Sequence, residues 1–126
     1  MSDSRSTLTA ARTPLLAFHQ ALIQAERRRF EAARGPISPA QFLQELMNGE
    51  SFLWLKPLTA LILTIDERLD EPATTPESLL EARDNLRKAL KDAAPDGLAA
   101  HVSALKAEAP ELPALRDAVL AALGES

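Results

Sequence analysis

The sequence has no cysteine, no tyrosine and only four glycines. Without cysteine there is no disulfide scaffold, no thiolate nucleophile and no thiolate-ligated metal. Four unclustered glycines leave no GxGxxG fingerprint, no phosphate loop and no nucleophile elbow. Aromatic residues are equally scarce, at 4% of the chain, and all of them (Phe18, Phe30, Phe42, Phe52, Trp54) lie in the first half. Basic charge is short as well. The chain carries 14 Lys+Arg against 18 Asp+Glu, a net charge of −4, which argues against nucleic acid as a partner. Long apolar runs are missing too. The richest, Phe52 to Ile65, is shorter than the roughly 20 residues of a membrane span, and Lys56 and Pro57 interrupt it. Met1 to Thr7 lacks the basic start and apolar run of a signal peptide. A cytoplasmic protein with no membrane contact is the expectation.

What remains is a chain of 126 residues, 46% hydrophobic and 25% charged, the profile of one globular domain over residues 1–126. Eight of its nine prolines sit where helices should begin or end, and Pro57 alone falls inside an expected helix. Thr13-Pro14, Ser38-Pro39 and Thr75-Pro76 each place a capping hydroxyl before a proline at the first helical position. Gln41, three residues after Ser38, completes a capping box. Gly35, Gly49 and Gly124 follow apolar-periodic runs, as C-terminal caps do. Asp96-Gly97 starts the next segment, and Pro110 and Pro113 open the last. These signals predict helices over 14–33, 39–48, 51–70, 76–93, 97–108 and 112–123, with residues 1–12 as flexible chain or a short extra turn over 4–12. No stretch alternates β-branched with polar residues, so no sheet is expected. The fold class is all-α: a single-domain bundle of five or six helices, with the third helix central and kinked at Pro57.

The later helices are plain amphipaths. The fourth carries a stripe of Leu79, Leu86, Leu90 and Ala93, with Asp84 in reach of Lys88 at i+4. The fifth offers Leu98, Val102 and Leu105, and the sixth Leu112, Leu115, Val119 and Leu123. Both are rich in alanine, thin enough to pack closely, and weakly apolar enough to leave part of the core face uncovered.

Polar residues stand out of place on the first and third helices. In the first, Phe18, Leu22, Leu15, Phe30, Ile23 and Leu16 span about half a turn of the wheel, and His19 and Glu26 fall inside that arc. A histidine and a carboxylate there need partners, because unpaired burial costs on the order of several kcal/mol. The third helix has a broad apolar face of Leu55, Leu58, Leu61, Ile62, Ile65 and Leu69 with Trp54; Thr59 and Asp66 lie beside it, and Lys56 stands next to that seam. Antiparallel packing of the two helices predicts that His19 meets Asp66 and that Glu26 meets Lys56 and Thr59. Pro57 cannot bond the carbonyl of Leu53, and that carbonyl is a candidate for a pocket lining.

Little else suggests chemistry. His19 and His101 lie on different helices, and neither HExxH nor a Glu-x-x-His pairing accompanies them, so no metal and no cofactor is expected. No serine stands at a sharp strand-to-helix turn, and no catalytic residue is assigned. Arg27, Arg28 and Arg29 point about 100° apart on a helix and form no single patch, with Arg29 free to turn to an acidic neighbour.

The segment Phe52-Leu-Trp54-Leu-Lys56-Pro57-Leu58 with Ile65-Asp66-Glu67 carries a resemblance, supported by His19-Gln-Ala-Leu22, Glu26-Arg27, Phe30-Glu31, Gly35-Pro-Ile37 and Phe42-Leu43-Gln-Glu-Leu46. The chain resembles a group of small bacterial all-helical proteins marked by a Phe-x-Trp-Leu-Arg/Lys-Pro-Leu box and a following Ile-Asp-Glu. The likeness runs from about His19 to Asp70. It departs at Asn48-Gly49-Glu50-Ser51, where the group's pattern has Asp-Pro. It implies an all-helical cytoplasmic protein and carries no activity with it.

Two functions follow as expectations. The first is a non-enzymatic helical interaction module, acting by self-association as a homo-oligomer or by binding a partner protein. The alternative is a small-ligand binder or enzyme with a polar pocket of His19, Glu26, Lys56, Thr59 and Asp66, walled by Trp54 and Pro57.

Overall fold

The computed structural model describes residues 4–92 and 97–124. The Asp96 part of the expected fifth-helix start, and Ala93 at the end of the expected fourth, lie outside those residues. Six α-helices and one 3₁₀ helix follow in order: α1 (Ser4–Arg34), α2 (Pro39–Asn48), a 3₁₀ turn (Glu50–Leu55), α3 (Lys56–Asp70), α4 (Pro76–Leu90), α5 (Leu98–Ala104) and α6 (Leu112–Ala122). No strand occurs among the described residues. The fold is an all-α single domain.

α1 runs for 31 residues, about 46 Å, straight through Pro14. The expected start at Thr13-Pro14 is therefore corrected. An internal proline costs a helix about 3 kcal/mol, and the first three turns recover it through tertiary contacts. Leu8 and Ala11 are buried in the core. The Arg5 guanidinium donates to the carbonyls of Leu69 (2.8 Å) and Glu71 (3.1 Å), capping the C-terminal end of α3 with a cation. Arg12 bonds Asp66 at 2.8 Å.

Pro57 also falls differently from expectation. It does not kink a continuous helix but sits in the first turn of α3, directly after the 3₁₀ segment. The Leu53 carbonyl that Pro57 cannot reach accepts the Lys56 amide instead. That bond closes one residue earlier than an α-helical one, so no orphan carbonyl is left for a pocket. Gly49, which joins α2 to this turn, donates its amide to Glu45 O at 2.7 Å. A Cβ there would meet that same carbonyl at 2.7 Å, so only glycine allows the close return.

The starts of α2 and α4 and the end of α1 agree with their capping chemistry, whereas α5 and α6 start without a side-chain cap and α5 stops at Ala104, short of the expected 108. Ser38 Oγ accepts the Gln41 amide and Gln41 Oε1 accepts the Ser38 amide, closing the capping box of α2. Thr75 caps α4, and Gly35 ends α1 with φ +89°. On α4, Asp84 pairs with Arg87 at 2.9 Å rather than with Lys88.

α1, not α3, is the central element. α3, α4, α6 and the 3₁₀ turn all pack on it, α6 most extensively. Phe18 and Leu22 in mid-α1 are wholly enclosed, and Phe52 of the 3₁₀ turn meets Phe30 (6.4 Å) and Phe42 (5.8 Å, edge-on). Leu86, Leu90, Leu105, Leu112 and Val119 close the other side. α3 is left with one covered face, of Leu58, Ile62 and Ile65, and one open to solvent.

Candidate functional site

α1 and α3 lie antiparallel, as Arg12 with Asp66 and His19 with Thr59 demonstrate. The five polar residues of that seam do not converge. They separate into three sets along α1.

His19 Nε2 lies 2.9 Å from Thr59 Oγ1. The Thr59 hydroxyl also donates to Leu55 O at 3.1 Å, an arrangement that suits an Nε2–H donating to Thr59 Oγ1. Burial pushes the His19 pKa below its ordinary value near 6.5. The unfolded chain therefore takes up a proton that the folded chain resists. The resulting stability is complete above about pH 6.5 and is lost as pH falls from there toward the lowered folded value. The melting temperature of the wild type is expected to fall more steeply between pH 7 and 5 than that of His19→Gln. Parallel slopes would contradict the assignment.

Glu26 makes a second set, bonded to neither Lys56 nor Thr59. Its side chain is 2% exposed, and its carboxylate accepts from Arg29 Nε (2.8 Å), Arg29 Nη2 (2.8 Å) and Trp54 Nε1 (2.9 Å). Three charge-assisted bonds satisfy it. Trp54 in turn stacks on His101 of α5, with ring centroids 4.1 Å apart and planes within 3°. These groups line a cleft of about 360 Å³ with Arg34, Glu50 and Ser51. Asp66, the third set, is held by Arg12. The basic triplet splits: Arg27 spans Glu31 (3.3 Å) and the Phe42 ring (4.4 Å), while Arg29 turns to Glu26.

A second opening lies between α1, α2 and α3. It is a groove of about 410 Å³ walled by Ile23, Leu46, Met47, Phe52, Leu55, Ala60 and Leu63, with His19, Thr59 and Lys56 as its polar residues. Three of the five expected residues line it. Glu26 and Asp66 do not, Trp54 faces the other cleft, and Pro57 borders neither. Met47 and Leu63 are 59% and 57% exposed, and Leu16, expected in the core, is 42% exposed. The antiparallel register sets Leu16 level with Ile62 and Leu63. The uncovered apolar surface thus belongs chiefly to α1, α2 and α3, whereas the weakly apolar α5 and α6 were expected to leave it.

Sequence reading misses Arg12 and His101 as partners, whereas Arg29 turns to an acidic neighbour, Glu26, as expected. An arginine four residues N-terminal to Leu16 carries no signal of which carboxylate it will meet. Among the described residues no group of three or more His, Asp or Glu side chains is placed to hold a metal, and no helix is long and apolar enough to cross a membrane. No family model, curated protein or solved structure matches the chain.

Proposed function

We propose that the protein is a non-enzymatic interaction module that docks a protein partner on the groove between α1, α2 and α3. The observation that carries this is a solvent-open apolar groove of about 410 Å³ whose rims, Met47 and Leu63, are more than half exposed. A chain that buries Phe18 and Phe52 completely has no folding need to expose a methionine and a leucine side by side. Clustered exposure of this kind marks docking surfaces. The groove's one cation, Lys56, makes no ion pair among the described residues, so it is available to a partner's carboxylate.

The test is light scattering at high concentration together with affinity capture, using wild type, Leu63→Asp and a control, Leu80→Asp on α4. Association is expected to persist in Leu80→Asp and to fall at least tenfold in Leu63→Asp, since a charge in a desolvated contact costs kcal/mol. A strictly monomeric wild type with no captured partner would contradict the reading.

A second reading rests on the same groove. Its volume lies within the roughly 300–1,000 Å³ range of small-molecule sites, and its walls are apolar with few polar groups. A thermal-shift screen of metabolites, with His19→Ala as control, tests it. A stabilising hit that His19→Ala abolishes supports this reading; no hit removes it.

A further inference from the structure

We propose that the occupant of this surface is a second copy of the chain, paired through an antiparallel contact of α3 with its symmetry mate. The proposal rests on the groove being a protein-docking surface, and it names the partner.

The argument is the pattern of the open face of α3. Lys56, Ala60, Leu63 and Glu67 recur at i, i+4, i+7 and i+11, which places them in one stripe about 16 Å long. All four are exposed, on the side away from the buried Leu58, Ile62 and Ile65. The stripe has a cation at its start, an anion at its end and an alanine and a leucine between. Neither Lys56 nor Glu67 has an ion-pair partner within the described residues.

This order is self-complementary. Positions 56 and 67 share a midpoint with positions 60 and 63, so a two-fold axis through that midpoint maps the stripe onto itself. Lys56 then meets Glu67 of the second copy, and Leu63 meets the small Ala60 of the second copy. Each contact occurs twice, as an isologous interface requires. A parallel arrangement would instead set lysine on lysine and glutamate on glutamate. Charge alone selects the antiparallel one. Alanine opposite leucine lets the two helices approach to roughly 8–10 Å, and Met47, on the groove's other rim, then borders the contact. One helix pair makes a small interface, so dimerisation is expected in the range of about 10–1,000 µM.

Sedimentation equilibrium of wild type, two single variants, their mixture and the double variant tests this. Wild type is expected to show a monomer–dimer equilibrium that weakens in high salt. K56E and E67K each place like charges at both contacts and are expected to weaken it roughly tenfold. Their equimolar mixture restores it, because the heterodimer sets a stripe with two acidic ends against one with two basic ends. Opposite charges then meet at both contacts. The double variant K56E/E67K restores pairing as a homodimer, with the charges exchanged. Both substitutions suit the helix dipole, with glutamate in the first turn of α3 and lysine in the last, so loss of folding does not imitate loss of pairing. A wild type that stays monomeric at about 1 mM, or a mixture no tighter than its separate components, overturns the inference. If the wild type is monomeric yet loses a captured protein in Leu63→Asp, self-pairing fails and the groove reading stands. If neither association nor capture responds to Leu63→Asp, both fail.

Discussion

Phe52→Ala is expected to lower the melting temperature by on the order of 20 °C. Phe52 is 1% exposed and sits where the 3₁₀ turn meets α1 and α2, within ring contact of Phe30 and Phe42. Removing a buried phenyl costs roughly 3–5 kcal/mol, the lost transfer energy plus the cavity. For a domain of this size each 1 kcal/mol moves the midpoint by about 4 °C. The penalty should lie near the upper end, because the short 3₁₀ segment contributes only Phe52 and Leu55 as buried anchors. Phe52→Leu, which keeps most of the volume, should cost about 1–2 kcal/mol. Thermal denaturation of the three forms checks this. A shift below about 5 °C for Phe52→Ala would place the aromatic cluster outside the core's energetics.

Glu26→Ala is expected to cost about 2–4 kcal/mol, large for a single carboxylate. The group is wholly enclosed, and its deletion leaves the Trp54 indole N–H without its acceptor and Arg29 without its bidentate partner. Arg29 is 42% exposed and can turn to water, so most of the cost falls on Trp54 and the vacated volume. Replacing both partners together should be much milder, since apolar groups of matching shape leave nothing unpaired. Chemical denaturation of Glu26→Leu, Trp54→Phe and the double variant forms a cycle that isolates the coupling. The expected coupling exceeds about 1 kcal/mol, and additive single effects would contradict a shared bond. The cycle also bears on α5, because Trp54 is the surface on which His101 stacks.

These two sites differ in how far the sequence discloses them. Phe52 and Glu26 both stand out on a helical wheel, one as core and one as a carboxylate inside an apolar arc. The wheel also places polar groups at the seam between α1 and α3, whose antiparallel direction the pairs Arg12–Asp66 and His19–Thr59 establish. It cannot set their relative translation. Sliding one helix by seven residues, about two turns, returns every side chain to nearly the same face. The expected pairs of His19 with Asp66 and Glu26 with Thr59 differ from the observed pairs of Arg12 with Asp66 and His19 with Thr59 by that slide. Register is decided instead by contacts outside the wheel, such as Arg5 on the end of α3 and Trp54 on Glu26.

The prolines teach a related lesson. Pro39, Pro76 and Pro113 lie in the first turns of α2, α4 and α6, because local chemistry and tertiary packing agree there. At Pro14 they disagree and packing prevails: a buried Leu8 and Ala11 outweigh a missing hydrogen bond. Leu16 shows the opposite case. Its place in the apolar arc predicts burial, yet it is 42% exposed, so a position in the arc does not guarantee that another element covers it.

The most direct measurement of self-pairing through α3 is a dilution series followed by amide chemical shifts of the whole chain. The predicted result is concentration-dependent shifts confined to α3 around Lys56, Ala60, Leu63 and Glu67 and to Met47 on the groove's other rim. Shifts centred on α5 and α6, or none up to about 1 mM, would contradict it.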